Sequence, residues 1–175
     1  MKRTHGTQHG RSPAPATIVA AVVTAGMALG ALAGRPAVAH AQDAEREVVA
    51  VVERLFQGML ARDTAMLRST FDASARLYSF GMRDGQAVIN GSPADVFIAS
   101  IGRGQGEGAN ERIYSPEVRI DGNLATVWTF YTLHVGERFI HCGVDAFQLY
   151  GTPAGWKIVS VADTRRTENC DPPRR

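Results

Sequence analysis

The chain is 175 residues long, with 45% hydrophobic, 7% aromatic and 21% charged residues and a formal net charge of +2. That profile fits one ordinary globular domain and excludes a disordered, collagen-like or multi-pass membrane chain. The charge is unevenly placed: Lys2, Arg3, Arg11 and Arg35 precede Ala41, and without them 15 basic residues face 17 acidic ones. The remainder is mildly acidic and has no basic stripe interleaved with aromatics, so nucleic acid is not an expected partner.

From Thr17 to Ala33 the sequence carries no charge and follows a polar, basic opening, the pattern of an export signal. The small-x-small run Ala39-His40-Ala41 comes next, which predicts a cleaved signal peptide over residues 1–41 and a single domain over 42–175. An uncleaved anchor would need roughly 20 strongly apolar residues, and this stretch is shorter and diluted by Gly26 and Gly30. With no adjacent arginine pair and no cysteine near the cleavage point, the expected product is periplasmic or secreted and free of the membrane.

Cys142 and Cys170 are the two cysteines. In an oxidising compartment they can bond and pin the C-terminal tail, a closure of about 3.6 kcal/mol in the chain-entropy picture; the alternative is two unrelated thiols. Neither belongs to a CxxC pair.

From Glu45 to Leu60 the apolar residues Val48, Val51, Val52, Leu55, Phe56 and Met59 recur at steps of three and four, which predicts an amphipathic helix. Asp63 can cap a short second helix bearing Leu67 and Phe71, and Arg76–Phe80 alternates as a strand does. Asn90-Gly91 reads as a turn. Ser92-Pro93-Ala94-Asp95 opens a third helix running from about Pro93 to Ile101. Gly102–Arg112 has four glycines at alternate positions and reads as a mobile connector or a pocket lid. Four long segments follow, Arg112–Ile120, Leu124–Val135, Arg138–Tyr150 and Trp156–Thr164, joined by hairpin-length turns in an antiparallel meander. Pro116 places the first of them at an edge or on a bulge.

Helices first and a sheet after them make an α+β fold. The element order, with Leu55-Phe56, Leu60-Ala61-Arg62-Asp63, the Val118–Ala125 hairpin and the closing Gly155-Trp156-Lys157-Ile158-Val159, resembles the nuclear transport factor 2-like superfamily, which includes SnoaL-like and ketosteroid isomerase-like domains. The ending Asp163-Thr164-Arg165-Arg166 with Cys170 is similar to its exported lumazine-binding branch. The resemblance implies three N-terminal helices packed in the concave face of a strongly curved antiparallel sheet, a cone-like α+β barrel enclosing a pocket. It also implies a convex face that pairs with a second subunit in a homodimer.

A two-residue turn at Gly136-Glu137 sets Val135 opposite Arg138, which pairs His134 with Phe139, Thr132 with His141, Phe130 with Gly143 and Trp128 with Asp145. One face then carries Trp128, Phe130, Phe139, His141, Asp145 and Phe147, an aromatic surface with two polar groups that suits the concave side. The smoother face, Val127, Thr129, Tyr131 and Leu133 with Ile140, Cys142, Val144 and Ala146, suits a dimer contact.

A carboxylate among aromatic rings must be hydrogen-bonded, paired or raised in pKa. As a site, Asp145 is a base and His141 its partner in proton transfer, with Tyr78, Trp128, Phe130 and Phe147 lining a ligand pocket. As structure, Asp145 is tied to Arg112, Arg119, Arg165 or the Trp128 indole. His134 and His141 are roughly 23 Å apart on a straight strand, and with neither HxH nor HExxH present no metal or cofactor is expected. Two functions stay open, an exported binding domain for a small apolar molecule and a cofactor-independent isomerase, dehydratase or cyclase. A dimeric interaction module without a ligand is a third.

Overall fold

The computed structural model describes residues 35–173. The expected leader lies outside the described residues as far as residue 34, and its last residues, 35–41, open the first helix. Helix α1, Arg35–Ala61, buries Val48, Val52, Leu55, Phe56 and Met59, the stripe its periodicity predicts. Helix α2, Thr64–Thr70, starts on Asp63, whose carboxylate accepts from the Ala65 and Met66 amides at 2.9 Å each, satisfying two of the free N–H groups of the first turn.

The remaining elements are β1 (Phe71–Arg83), β2 (Gln86–Pro93), α3 (Ala94–Arg103), β3 (Ala109–Asp121), β4 (Leu124–Val135), β5 (Arg138–Thr152) and β6 (Gly155–Thr164). They form a curved six-stranded sheet in the order β2-β1-β6-β5-β4-β3, open at both ends, with the helices on one side. The α+β class and the three-helix layer are as expected. The sheet is mixed, not wholly antiparallel, because β1 runs parallel to β6. Among the described residues no helix is long and apolar enough to cross a membrane.

One hairpin differs from its sequence reading. Asn90 and Gly91 lie within β2, paired with Ser79 and Tyr78, and the turn is at Asp84-Gly85, whose φ angles of 52° and 75° are those of a two-residue hairpin. Pro116 meets both expectations: β3 is an edge strand, and its ladder with β4 skips between Tyr114 and Glu117, where Ser115 has φ 49°.

The largest correction concerns the two central strands. His134 pairs with Phe139, as the turn dictates, but Leu133 pairs with His141, so Ile140 is an extra residue in β5. A bulge of this kind reverses the faces matched beyond it. Thr129 therefore stands beside Asp145, Tyr131 beside Gly143 and Val127 beside Phe147. Trp128 and Phe130 are turned away from the helices: Trp128 is 56% exposed, and the Phe130 ring lies under the Arg166 guanidinium at 5.6 Å. The supposed smooth face does not exist as one surface, since Val127, Thr129 and Tyr131 are buried on the helix side while Cys142, Val144 and Ala146 belong to the other.

The core joins α1 to the sheet through Phe56 and Phe147, whose rings meet edge to face at 6.1 Å. Behind it Val127, Leu149, Ile158 and Val161 are buried. Cys142 and Cys170 form a disulfide with their Cα atoms 5.6 Å apart. Beside it, Cys142 and Arg166 exchange two backbone hydrogen bonds of 2.9 Å, extending the ladder past β6.

The glycine-rich connector is held from below. Arg62, in the left-handed region at φ 54°, directs its guanidinium to the carbonyls of Ile101 (3.1 Å), Gln105 (3.0 Å), Gly106 (3.3 Å) and Glu107 (2.7 Å). This is a clamp on a segment that the sequence presents as a loose connector. Arg62→Leu is expected to cost about 1–2 kcal/mol, the range for a few partly exposed charge-assisted hydrogen bonds. It should also raise amide exchange across residues 104–108, read by urea denaturation and hydrogen-exchange mass spectrometry.

Candidate functional site

A cavity of about 430 Å³ lies between the helices and the sheet. Its apolar end is made by Leu55, Phe56 and Met59 of α1, Phe97 and Ile101 of α3, and Phe147 and Val161 of the sheet. Its polar end contains Glu111, His141, Asp145, Asp163 and Arg165. Strand alternation explains the grouping: Thr129, Asp145, Asp163, Ser79 and Asn90 form one continuous row across five strands, and Glu111, Leu133 and His141 form another.

Asp145 is 2% exposed, and no N–H or hydroxyl donor reaches its Oδ2. Glu111 reaches across β4 to share a hydrogen bond with it. Two carboxyl groups can be so joined only if one of them keeps a proton. Burial, then the charge of Glu111, raises Asp145 well above the usual carboxylate range, and burial and the Asp163 charge raise Glu111 to about 7. Above about pH 7 the pair thus holds one proton.

Arg165, one of the partners considered for Asp145, is engaged elsewhere. Its Nε donates to Asp163 Oδ2 at 2.7 Å in an ion pair two residues apart in the chain. Asp163 Oδ1 has no partner. Arg112 and Arg119 make no ion pair with Asp145, and the Trp128 indole stands on the opposite face.

A hydrogen-bond chain sets the state of His141. The Thr164 carbonyl can only accept, so the Tyr131 hydroxyl donates to it at 2.9 Å. The 3.0 Å contact between Tyr131 Oη and His141 Nδ1 must then be donated by the histidine. Nδ1 carries the proton and Nε2 is the free acceptor. Burial and the Arg165 charge hold His141 below the usual imidazole range, so it is neutral at pH 7, while burial and the Asp163 charge push Tyr131 up. Gly143 makes this chain possible, because a Cβ there would collide with the Thr164 carbonyl oxygen and crowd the Tyr131 ring.

Of the residues singled out in the sequence, Asp145, His141 and Phe147 come together at the cavity. Tyr78 also borders it, with its ring packed over Gly91 and beneath the Arg76 guanidinium at 5.9 Å. Trp128 and Phe130 are not among its walls. Glu111, Asp163, Arg165 and Tyr131 complete the polar end and were not singled out as ligand or catalytic residues. The signal for Glu111 was its alternation with Ile113 on a strand following the glycine run, legible only with the β4–β5 register in hand. Among the described residues no group of His, Cys, Asp and Glu is placed to hold a metal ion.

The family described as "Putative lumazine-binding" matches residues 43–162. The chain belongs to this family. Solved structures agree on a fold of the nuclear transport factor 2-like, cystatin-like type. A Mycobacterium tuberculosis protein of unknown function aligns with TM-score 0.62 at 13% identity, covering 82% of each chain. A nuclear transport factor 2-like protein from Novosphingobium aromaticivorans aligns with TM-score 0.59 at 15% identity, covering 76% of this chain and 88% of its own. A structure described as a putative dehydratase of the same fold family, from Streptomyces avermitilis, gives TM-score 0.56 at 15% identity over 72% of this chain and 98% of its own. No curated protein matches the sequence.

The carboxyl pair of this lumazine-binding family member gives its stability a definite pH dependence. A carboxyl whose pKa is higher folded than unfolded binds protons more tightly in the native state, so stability is fullest below the unfolded value and falls as pH rises through the folded one. Between about pH 4.5 and 7, the interval from the ordinary to the raised Glu111 value, stability should decline. Asp145→Asn should flatten that decline and leave the variant more stable than the wild type at pH 8. Urea denaturation at a series of pH values checks it; a steeper decline in the variant contradicts the assignment.

Proposed function

We propose that this chain is an exported domain that binds a small, largely apolar molecule in the cavity, with the molecule's polar edge against Asp145, Glu111 and His141. The observation that carries the reading is the Asp145 carboxyl, buried at the cavity wall with no N–H or hydroxyl donor to its Oδ2. An unmade buried hydrogen bond costs about 1–3 kcal/mol, a cost that a ligand filling the cavity would relieve. The volume of about 430 Å³ is in the range of small-molecule sites, and the family description supports a compact heterocyclic ligand. The disulfide is compatible with an extracytoplasmic location, and the charge-free run Thr17–Ala33 supports export with cleavage after Ala41.

The second reading is a cofactor-independent isomerase, dehydratase or cyclase. It is favoured by the neutral His141, whose Nε2 is free to take a proton, beside a carboxyl pair that holds one. Positioned groups with pKa values near neutrality are suited to general acid–base work, and the dehydratase description of one structural neighbour is in keeping with it.

A homodimer is proposed through the outer face of the sheet, where Trp128 and Leu124 are 56% and 51% exposed. Light scattering at micromolar concentration should give twice the chain mass, and Trp128→Glu should restore the monomer.

Lumazine, followed by its fluorescence, and a thermal-shift ligand screen test the pocket. Hits should stabilise the wild type, and Phe147→Trp, which fills the apolar end, should weaken them at least about tenfold. Hits that ignore Phe147→Trp would place binding elsewhere. For any substrate found, an enzyme should lose turnover in Asp145→Asn while keeping affinity, whereas a binding protein should lose affinity.

A further inference from the structure

The charges at the cavity's polar end do not balance. Asp163 and Arg165 cancel one another in a 2.7 Å ion pair. Above about pH 7 Glu111 and Asp145 share one proton in their hydrogen bond, which leaves one negative charge between them. The other groups facing the pair add none: His141 on β5 is neutral with its proton on Nδ1, and the Tyr131 hydroxyl on β4 is committed to the Thr164 carbonyl. From α1 and α3 the wall receives Leu55, Phe56, Met59, Phe97, Ser100 and Ile101, none of them titratable. On β2 it receives Asn90, Gly91 and Ser92, and on β1 the only ionisable residue is Tyr78.

The unmet hydrogen bonds have one sign as well. No N–H or hydroxyl donor reaches Asp145 Oδ2, on a residue 2% exposed, or Asp163 Oδ1, and Nε2 of His141 is a free acceptor. The one guanidinium at this end is turned to Asp163. An apolar enclosure with a surplus negative charge and unmatched acceptors calls for a ligand that brings donors and a positive charge.

We propose that the ligand of this cavity is an organic monocation, an amidinium or ammonium group on a compact apolar body, with its N–H donors on the Glu111–Asp145 pair. This rests on the pocket reading above and narrows it to a chemical class. A carboxylate ligand would add like charge to a desolvated anion. A neutral ligand would leave the surplus charge buried. A dication would require expulsion of the shared proton.

The test uses the full protein, recovered from an exporting host, and three probes of one shape, 2-naphthamidine, 2-naphthamide and 2-naphthoate, by calorimetry at pH 6 and pH 8. The amidine should bind at least about tenfold more tightly than the amide, and the naphthoate more weakly than either. Amidine affinity should rise several-fold from pH 6 to pH 8 as Glu111, raised to about 7, loses its own proton and leaves the pair with the single shared one, while amide affinity stays level. Glu111→Gln keeps the shape and leaves only Asp145, which burial holds in its protonated form, so it removes the charge; it should lose about tenfold for the amidine and less than about twofold for the amide.

Amide binding equal to that of the amidine, weakened by Phe147→Trp, overturns the charge assignment and leaves the pocket standing. Amidine binding that Phe147→Trp does not weaken overturns both. Failure of all three probes at millimolar concentration, where lumazine or another screening hit binds, overturns the cation assignment alone.

Discussion

The ladder between β4 and β5 gains one residue at Ile140, and which side chains meet the helices follows from that. Side chains on a strand alternate strictly, so a single unpaired residue exchanges the partners of the strand it joins. With the extra residue, Tyr131, Thr129 and Val127 share a face with Gly143, Asp145 and Phe147; without it, Trp128 and Phe130 would stand there instead. A carboxylate boxed in by indole and phenyl rings would have no neighbour to share a proton with. In the observed register Asp145 lies next to Thr129 on one side and Asp163 on the other, and Glu111 can reach it over the top of β4.

The second constraint is Gly143. Its missing side chain lets the Thr164 carbonyl and the Tyr131 ring converge over β5, and the hydroxyl between them fixes which nitrogen of His141 bears the proton. Tautomer, charge and the direction of the free lone pair are thus set by backbone packing two residues away in sequence. The apolar half of the cavity is built differently, by α1 and α3 lying over Phe147 and Val161, and requires no special geometry beyond dense packing.

Much of this was legible in the sequence, for identifiable reasons. The α1 stripe, the Asp63 cap, the four C-terminal strands and the bulge at Pro116 are local features that their own residues dictate. The hairpin at Asp84-Gly85 was equally local, but Asn90-Gly91 competed with it; the glycine there leaves room for the Tyr78 ring rather than making a turn. The loop after α3 looked loose because its restraint, Arg62, lies 39 to 45 residues away in the chain. Asp145, His141 and Phe147 were found because they alternate on one strand. Trp128 and Phe130 were misplaced because a bulge with no proline or glycine at Ile140 leaves no mark in a single sequence. The family resemblance supplied the layers of the fold but could not supply this register.

Arg165 shows how the tail decides the character of the site. Its amide donates to the Phe80 carbonyl at 3.3 Å, and its neighbour Arg166 is bonded in both directions to Cys142. The disulfide from Cys142 to Cys170 closes this last stretch against β5. Held on both sides, the backbone at Arg165 presents its guanidinium to Asp163, two residues back. Had the tail been free, the same guanidinium could have approached Asp145 and converted the carboxyl pair into a compensated, inert ion pair. Replacing Asp145 and Glu111 with apolar residues of like volume would cost the fold little. Beside an arginine held elsewhere, they leave the polar end with charge that the fold itself does not compensate.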